Sequence, residues 1–147
     1  MHGVTVRTAD AGDLTGIVEL WRAAAHRESG TDNAESLATV LDHPYATVFV
    51  AFDGDTLVGS ALPAWDGWRG TVHRVVVHPR SQRREEVGQA LIAAGVEWLR
   101  QFGAVRVSAP VDGSAEARRL WEGAGFLHDP QTHRFVKDTD PRSGNGS

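Results

Sequence analysis

Residues 72–102, V-H-R-V-V-V-H-P-R-S-Q-R-R-E-E-V-G-Q-A-L-I-A-A-G-V-E-W-L-R-Q-F, constrain the chain more than any other stretch. Val72, Val75, Val76 and Val77 are β-branched and apolar enough for a central strand. Pro79 has no amide hydrogen to give a ladder and closes that run near His78. Apolar residues then recur at Val87, Leu91, Ala94, Trp98 and Phe102 in steps of four, three, four and four, and Ile92 and Leu99 widen the stripe into a core-facing surface. The spacing predicts a helix from about Glu85, with Gly103 placed to end it. A helix N-terminus presents free N–H groups and a partial positive charge, and Arg80, Arg83 and Arg84 add full charges beside it. The junction is therefore a cradle suited to a phosphate-bearing ligand.

At 147 residues the chain fits one domain with a single core. Its net charge of −4 gives no reason to expect DNA, RNA or an anionic membrane as partner. The absence of cysteine excludes disulfides, thiolate metal sites and a cysteine nucleophile, and suits a reducing cytosol. No secretory apolar run opens the chain and no stretch approaches the length of a membrane span, so a cytoplasmic protein is expected. None of the seven histidines sits in an H-E-x-x-H or comparable pattern, and no metal is expected.

Along the chain, Val4 and Val6 alternate with polar neighbours as a first strand ending near Arg7 or Thr8. Asp10 is placed to cap a helix whose stripe is Leu14, Ile17, Val18, Trp21, Ala24 and Ala25, running to about Arg27. A loop at residues 28–32 precedes a second helix from about Asn33, stopped by Pro44. Two strands, Val48 to Phe52 and Leu57 to Leu62, join across Asp53-Gly54-Asp55 as antiparallel neighbours. A turn at residues 65–70 leads into the strand at Val72. After Gly103, Val105 and Val107 read as a strand parallel to it, because the connection crosses over through a helix. Ser114 then caps a helix burying Ala117, Leu120, Trp121 and Ala124, with Gly125 as its stop. Phe126 to His128 and His133 to Lys137 are expected to close the fold as an antiparallel pair. Residues 138–147 contain no apolar side chain and are expected to be a disordered tail, leaving 1–137 as the domain.

This order, α+β with a mixed sheet, is similar to that of the GNAT N-acetyltransferases. Val77-His78-Pro79 followed by Arg83-Arg84-Glu85-Glu86-Val87-Gly88 resembles that family's acyl-CoA motif, V-x-P and then [RQ]-x-x-G-x-[GA]. The pair D-x-x-x-L-V-G-S and the ending A-x-x-x-W-E-x-A-G-F, laid on Ser114, Ala117, Trp121, Gly125 and Phe126, extend the resemblance over nearly the whole chain. It departs at Glu86, where the family usually has its first glycine, in a loop one residue longer than usual, and at Trp121, where the family often has a tyrosine.

The resemblance implies a mostly antiparallel sheet with helices on both faces, and transfer of an acetyl group from acetyl-CoA to an amine of a small molecule or peptide. It also implies that backbone groups of Val75, Val76 and Val77 meet the pantetheine arm, in a cleft made by splay from the next parallel strand. Amides of Arg83, Arg84, Glu85, Glu86, Val87 and Gly88 would hold the pyrophosphate. Ser114, in place of a family asparagine, either reaches the ligand or only caps its helix. His73 is the candidate general base, since its ordinary pKa of about 6.5 suits proton abstraction at neutral pH. The competing expectation is a GNAT-fold protein without turnover, acting as a ligand-binding or interaction module; a third is a structural domain with no CoA contact. A homodimer through sheet edges is compatible with the short closing strands.

Overall fold

A computed structural model of the chain describes residues 3–24 and 29–140. Its elements are β1 (Val4–Thr8), α1 (Leu14–Ala23), α2 (Ala34–Leu41), β2 (Phe49–Asp53), β3 (Thr56–Trp65), β4 (Gly70–Val77), α3 (Arg84–Arg100), β5 (Val107–Ser108) and α4 (Ala115–Gly123). The five strands form one sheet in chain order. The pairings from β1 to β4 are antiparallel, and β4 with β5 is parallel, as a helical crossover requires.

Period-two alternation along the strands gives the sheet two apolar faces. On one, Val48, Val50 and Val76 pack with Leu14, Ile17, Leu20 and Trp21 of α1 and Leu37 of α2. On the other, Ala51, Val58, Ala61 and Val72 meet Val87, Leu91, Ile92 and Leu99 of α3 and Trp121 of α4. Helices thus cover both faces.

Side chains start most of these helices. Asp10 opens the single 3₁₀ turn ahead of α1: its Oδ1 accepts the Gly12 N–H at 2.9 Å, and Asp13 Oδ2 accepts the Asp10 N–H at 2.9 Å. The Arg7 guanidinium, 2.7 Å from Asp13, holds that carboxyl below the usual carboxylate range. Asn33 Oδ1 accepts the Ser36 N–H at 2.8 Å, and Ser114 Oγ accepts the Ala117 N–H at 3.1 Å. Helix α3 differs: Arg83 stands at its N-cap and makes no capping bond.

Three sequence expectations change. The first helix has Ala24 as its C-cap, and the residues expected to carry it to Arg27 lie outside the described ones. The strand after Gly103 starts at Val107, with Val105 96% exposed. The closing antiparallel pair does not form. Its turn does, with Asp129 Oδ1 accepting the Gln131 N–H at 3.0 Å and Oδ2 the Thr132 hydroxyl at 2.6 Å. Neither arm enters the sheet, and Leu127 and Phe135 stand 93% and 92% exposed. Alternation made these arms strand-like, but β5 is two residues long and offers them almost no edge to pair with. Of the expected tail, residues 141–147 lie outside the described ones.

Gly95, inside α3, has room for a side chain. A Cβ there would lie 3.5 Å from Val72 Cγ2 and 3.8 Å from Pro63 Cβ, ordinary contact distances. Gly95→Ala is expected to raise stability by about 0.5–1 kcal/mol through helix propensity. Urea denaturation should show a higher midpoint at unchanged slope; a lower midpoint would mean that the sheet cannot accept the methyl.

Candidate active site

Strand β4 carries an extra residue. Its register against β3 runs from His73↔Leu62 to Val76↔Ser60, three steps on β4 against two on β3, so Arg74 and Val75 have no cross-strand partner. Arg74 has φ of 51°, the left-handed region, and is the one non-glycine there among the described residues. The wholly buried Ser60 donates its hydroxyl to the Arg74 carbonyl at 2.9 Å and accepts the Trp21 indole N–H at 2.9 Å. Because a trans peptide is planar with its C=O and N–H opposed, the following Val75 N–H points away from Ser60 and β3.

On that other side β4 is largely open. Strand β5 pairs only through Gly70↔Val107 and Thr71↔Ser108. The chain then leaves the sheet at Ala109-Pro110, and proline cannot extend a ladder. Beyond Thr71 the two parallel strands have no register pair, so Val75, Val76 and Val77 have no strand partner on the β5 side among the described residues.

The first turn of α3 stands at the end of β4. The Val87 amide donates to the Arg83 carbonyl at 2.8 Å, and the Arg83 amide reaches Ser81 Oγ at 3.4 Å. The amides of Arg84, Glu85 and Glu86 have no acceptor among the described residues, leaving three donors in the N-terminal field of a 17-residue helix. Val87 and Gly88 belong to the packing instead. Val87 is buried, and a Cβ at Gly88 would lie 2.8 Å from Leu120 Cδ1, so this glycine admits α4 against α3. Ser114 is engaged as the α4 cap.

The basic residues divide. Arg84 is ion-paired with Glu116, joining the first turns of α3 and α4. Arg80 and Arg83 have no acidic partner among the described residues and line a hollow of about 410 Å³ with Asp53, Thr56, His78 and Ser81. Glu85 and Glu86 are exposed on the first turn, where carboxylates complement the dipole.

His73 is half-buried on β4, next to the bulge. Burial pushes its imidazole below the ordinary histidine pKa, and the nearby guanidiniums of Arg134 and Arg74 push in the same direction. Its neutral form is therefore the one present at pH 7. Trp121 is 8% exposed and packs edge-on to Phe126 with ring centroids 4.8 Å apart, a core role. Tyr45 lies against Phe102 and His43, in an aromatic group beyond the N-terminal end of β4. No group of three or more His, Cys, Asp or Glu that could hold a metal occurs among the described residues. No helix among them is long and apolar enough to cross a membrane.

Sequence reasoning missed Arg74, Ser60 and Asp32. A signal was present: alternation from Val72 would place Arg74 on the same apolar face, and three consecutive valines then follow, a pattern that only an inserted residue reconciles.

The profile of the Acetyltransferase (GNAT) family matches residues 14–126. A search of curated proteins finds no match. Among solved structures the chain is similar to a GNAT-family acetyltransferase from Streptococcus pneumoniae, with 20% identity, TM-score 0.72, and 94% of this chain and 100% of that one covered. It is also similar to an aminoglycoside N-acetyltransferase in complex with CoA, at 18% identity and TM-score 0.72, covering 93% and 96% of the two chains. A third similar structure is an aminoglycoside acetyltransferase from an uncultured soil metagenomic sample in complex with sisomicin, at 18% identity and TM-score 0.72, with 93% and 97% covered. At these identities the structures establish the fold, and the profile match over most of the length establishes the family: the chain belongs to the GNAT acetyltransferases.

Proposed function

We propose that the protein is an N-acetyltransferase that moves the acetyl group of acetyl-CoA to an amine, acting in the cytoplasm. The observation that carries this reading is the set of unspent amides at Arg84, Glu85 and Glu86, past the end of β4, a strand that has no β5 partner beyond Thr71. Peptide donors in that field suit a diphosphate. Arg80 and Arg83 supply unpaired positive charge beside them for a further phosphate. The pantetheine arm would run along Val75, Val76 and Val77.

In this reading the amine nitrogen attacks the thioester carbonyl. The Val75 N–H stabilises the developing oxyanion, and His73 takes the amine proton directly or through a water. The C–S bond then breaks, and the thiolate leaves as CoA, protonated by solvent or by the imidazolium. No side-chain acid is assigned, because Trp121 is packed in the core and carries no hydroxyl. The acceptor is a primary amine of a small molecule or peptide. Aminoglycoside acetyltransferases of the same fold support the small-molecule class.

A second reading, a module that binds ligand without turnover, has its own support in Glu86 on the diphosphate turn, in the Arg84–Glu116 ion pair and in the missing leaving-group acid. A thiol-release assay with acetyl-CoA and a panel of amines separates the two. Acceptor-dependent CoA release is expected; acetyl-CoA binding with no release across the panel would favour the module.

A further inference from the structure

The carboxylate of Asp32 is nearly buried, at 8% exposure, in the loop between α1 and α2, and it is claimed from two sides. The Ser29 amide donates to Oδ2 at 2.7 Å. The Arg74 guanidinium straddles both oxygens, with Nη2 2.9 Å from each and Nε 3.2 Å from Oδ1. A planar guanidinium bound through two nitrogens fixes orientation as well as distance. The same guanidinium lies 5.4 Å over the Trp21 ring. Since Trp21 donates to Ser60, and Ser60 donates to the Arg74 carbonyl, the contacts close a ring that begins and ends on Arg74.

Arginine is an expensive residue at a φ of 51°, where glycine would be at ease. Glycine would keep the bulge but could not reach Asp32. The side chain therefore has a task apart from the backbone shape, and what it holds is the loop. Residues 29–33 are already shaped locally, by the Asp32 N–H donating to the Ser29 carbonyl at 3.1 Å and Asn33 Nδ2 to the Gly30 carbonyl at 2.8 Å. Among the described residues, the Asp32–Arg74 pair is the polar tie between this shaped loop and the sheet. Arg74 lies between His73 and Val75, so the loop is docked at the point on β4 where base and thioester would meet.

We propose that the Asp32–Arg74 pair is a positioning latch that makes loop 29–33 a fixed wall of the acceptor subsite. The assignment rests on the acetyl-transfer reading. It adds that loop and strand act as one piece toward the amine, while acetyl-CoA, bound along β4 and the first turn of α3, is indifferent to the latch. It also makes Arg74 and Asp32 residues that set acceptor specificity without touching the reacting atoms.

Two variants test it, Arg74→Gly, which suits the bulge backbone, and Asp32→Asn, which leaves Arg74 in place. Hydrogen exchange at amides 29–33 should rise at least tenfold in both, with exchange in β2 and β3 unchanged. The acceptor KM should rise about tenfold or more, while the acetyl-CoA Kd stays within about twofold. Arg74→Lys should recover less than half of the loss, because an ammonium lacks the planar two-nitrogen fork that fixes the orientation of the carboxylate. Unchanged exchange at 29–33 overturns the latch, whatever the kinetics. Increased exchange with an unchanged acceptor KM, or with acetyl-CoA affinity lost in parallel, overturns the acceptor-wall assignment. If the unaltered protein neither binds nor turns over acetyl-CoA, the transfer reading and the acceptor wall fall together, and the exchange measurement still decides the latch by itself.

Discussion

Replacing His73 with glutamine is expected to lower kcat for acetyl transfer by about 10²–10⁴-fold, the usual worth of a positioned general base, while acetyl-CoA affinity stays within about twofold. The imidazole lies one residue from the bulge, on the strand that would carry the thioester. Burial first, then Arg134 and Arg74, depress its pKa, so the base form needs no help from high pH. The sign follows directly. In the unaltered enzyme kcat/KM should show an acid limb below about 6.5, apart from the higher limb set by the acceptor's own ammonium, and the glutamine variant should lose the lower limb. A kcat within threefold of the original, or the same acid limb in the variant, would mean that the proton leaves by another route.

The largest effect on stability is expected at Gly59, in β3. A Cβ there would stand 2.7 Å from Leu91 Cδ1, 2.9 Å from Val87 Cγ1 and 3.2 Å from the Val76 carbonyl oxygen. Those neighbours cannot all give way, because Val87 and Leu91 are fully buried and the oxygen belongs to the adjacent strand. Gly59→Val should cost about 3 kcal/mol or more, the upper range for overpacked cores. For a chain of this size that is a fall in Tm of about 6–12 °C. Because α3 is levered from the sheet at its first two turns, acetyl-CoA binding should weaken as well. A Tm within 2 °C of the original would show that the helix shifts at little cost. Gly95→Ala in the same helix, expected to stabilise, controls for a general intolerance of side chains there.

The order of strands and helices was legible because its signals are local. Three valines before a proline, a 3.6-residue stripe from Val87 to Leu99 and an Asp-Gly hairpin each constrain one element, and the helical crossover sets the parallel pair. The helix start after Pro79 was legible for the same reason, although only three of the six amides expected to meet a diphosphate are unspent. Val87 and Gly88 look identical in sequence whether they serve a ligand or a neighbouring helix, and Leu120, which decides the matter, lies 32 positions further on. The latch was hidden by separation, since Asp32 and Arg74 are 42 residues apart and each alone reads as a solvated charge. The closing strands misled because alternation reports that a segment could pair, whereas pairing needs an edge, and a two-residue β5 supplies little.

The most direct test of the diphosphate turn is calorimetric titration of acetyl-CoA into the unaltered protein and into Glu86→Gly. Saturable binding is expected in both. It should be tighter in the variant by about tenfold or more, since a carboxylate close to a phosphate costs about 1–4 kcal/mol at surface-like screening. Absence of heat from both proteins at millimolar acetyl-CoA would contradict a ligand held on the amides of Arg84, Glu85 and Glu86.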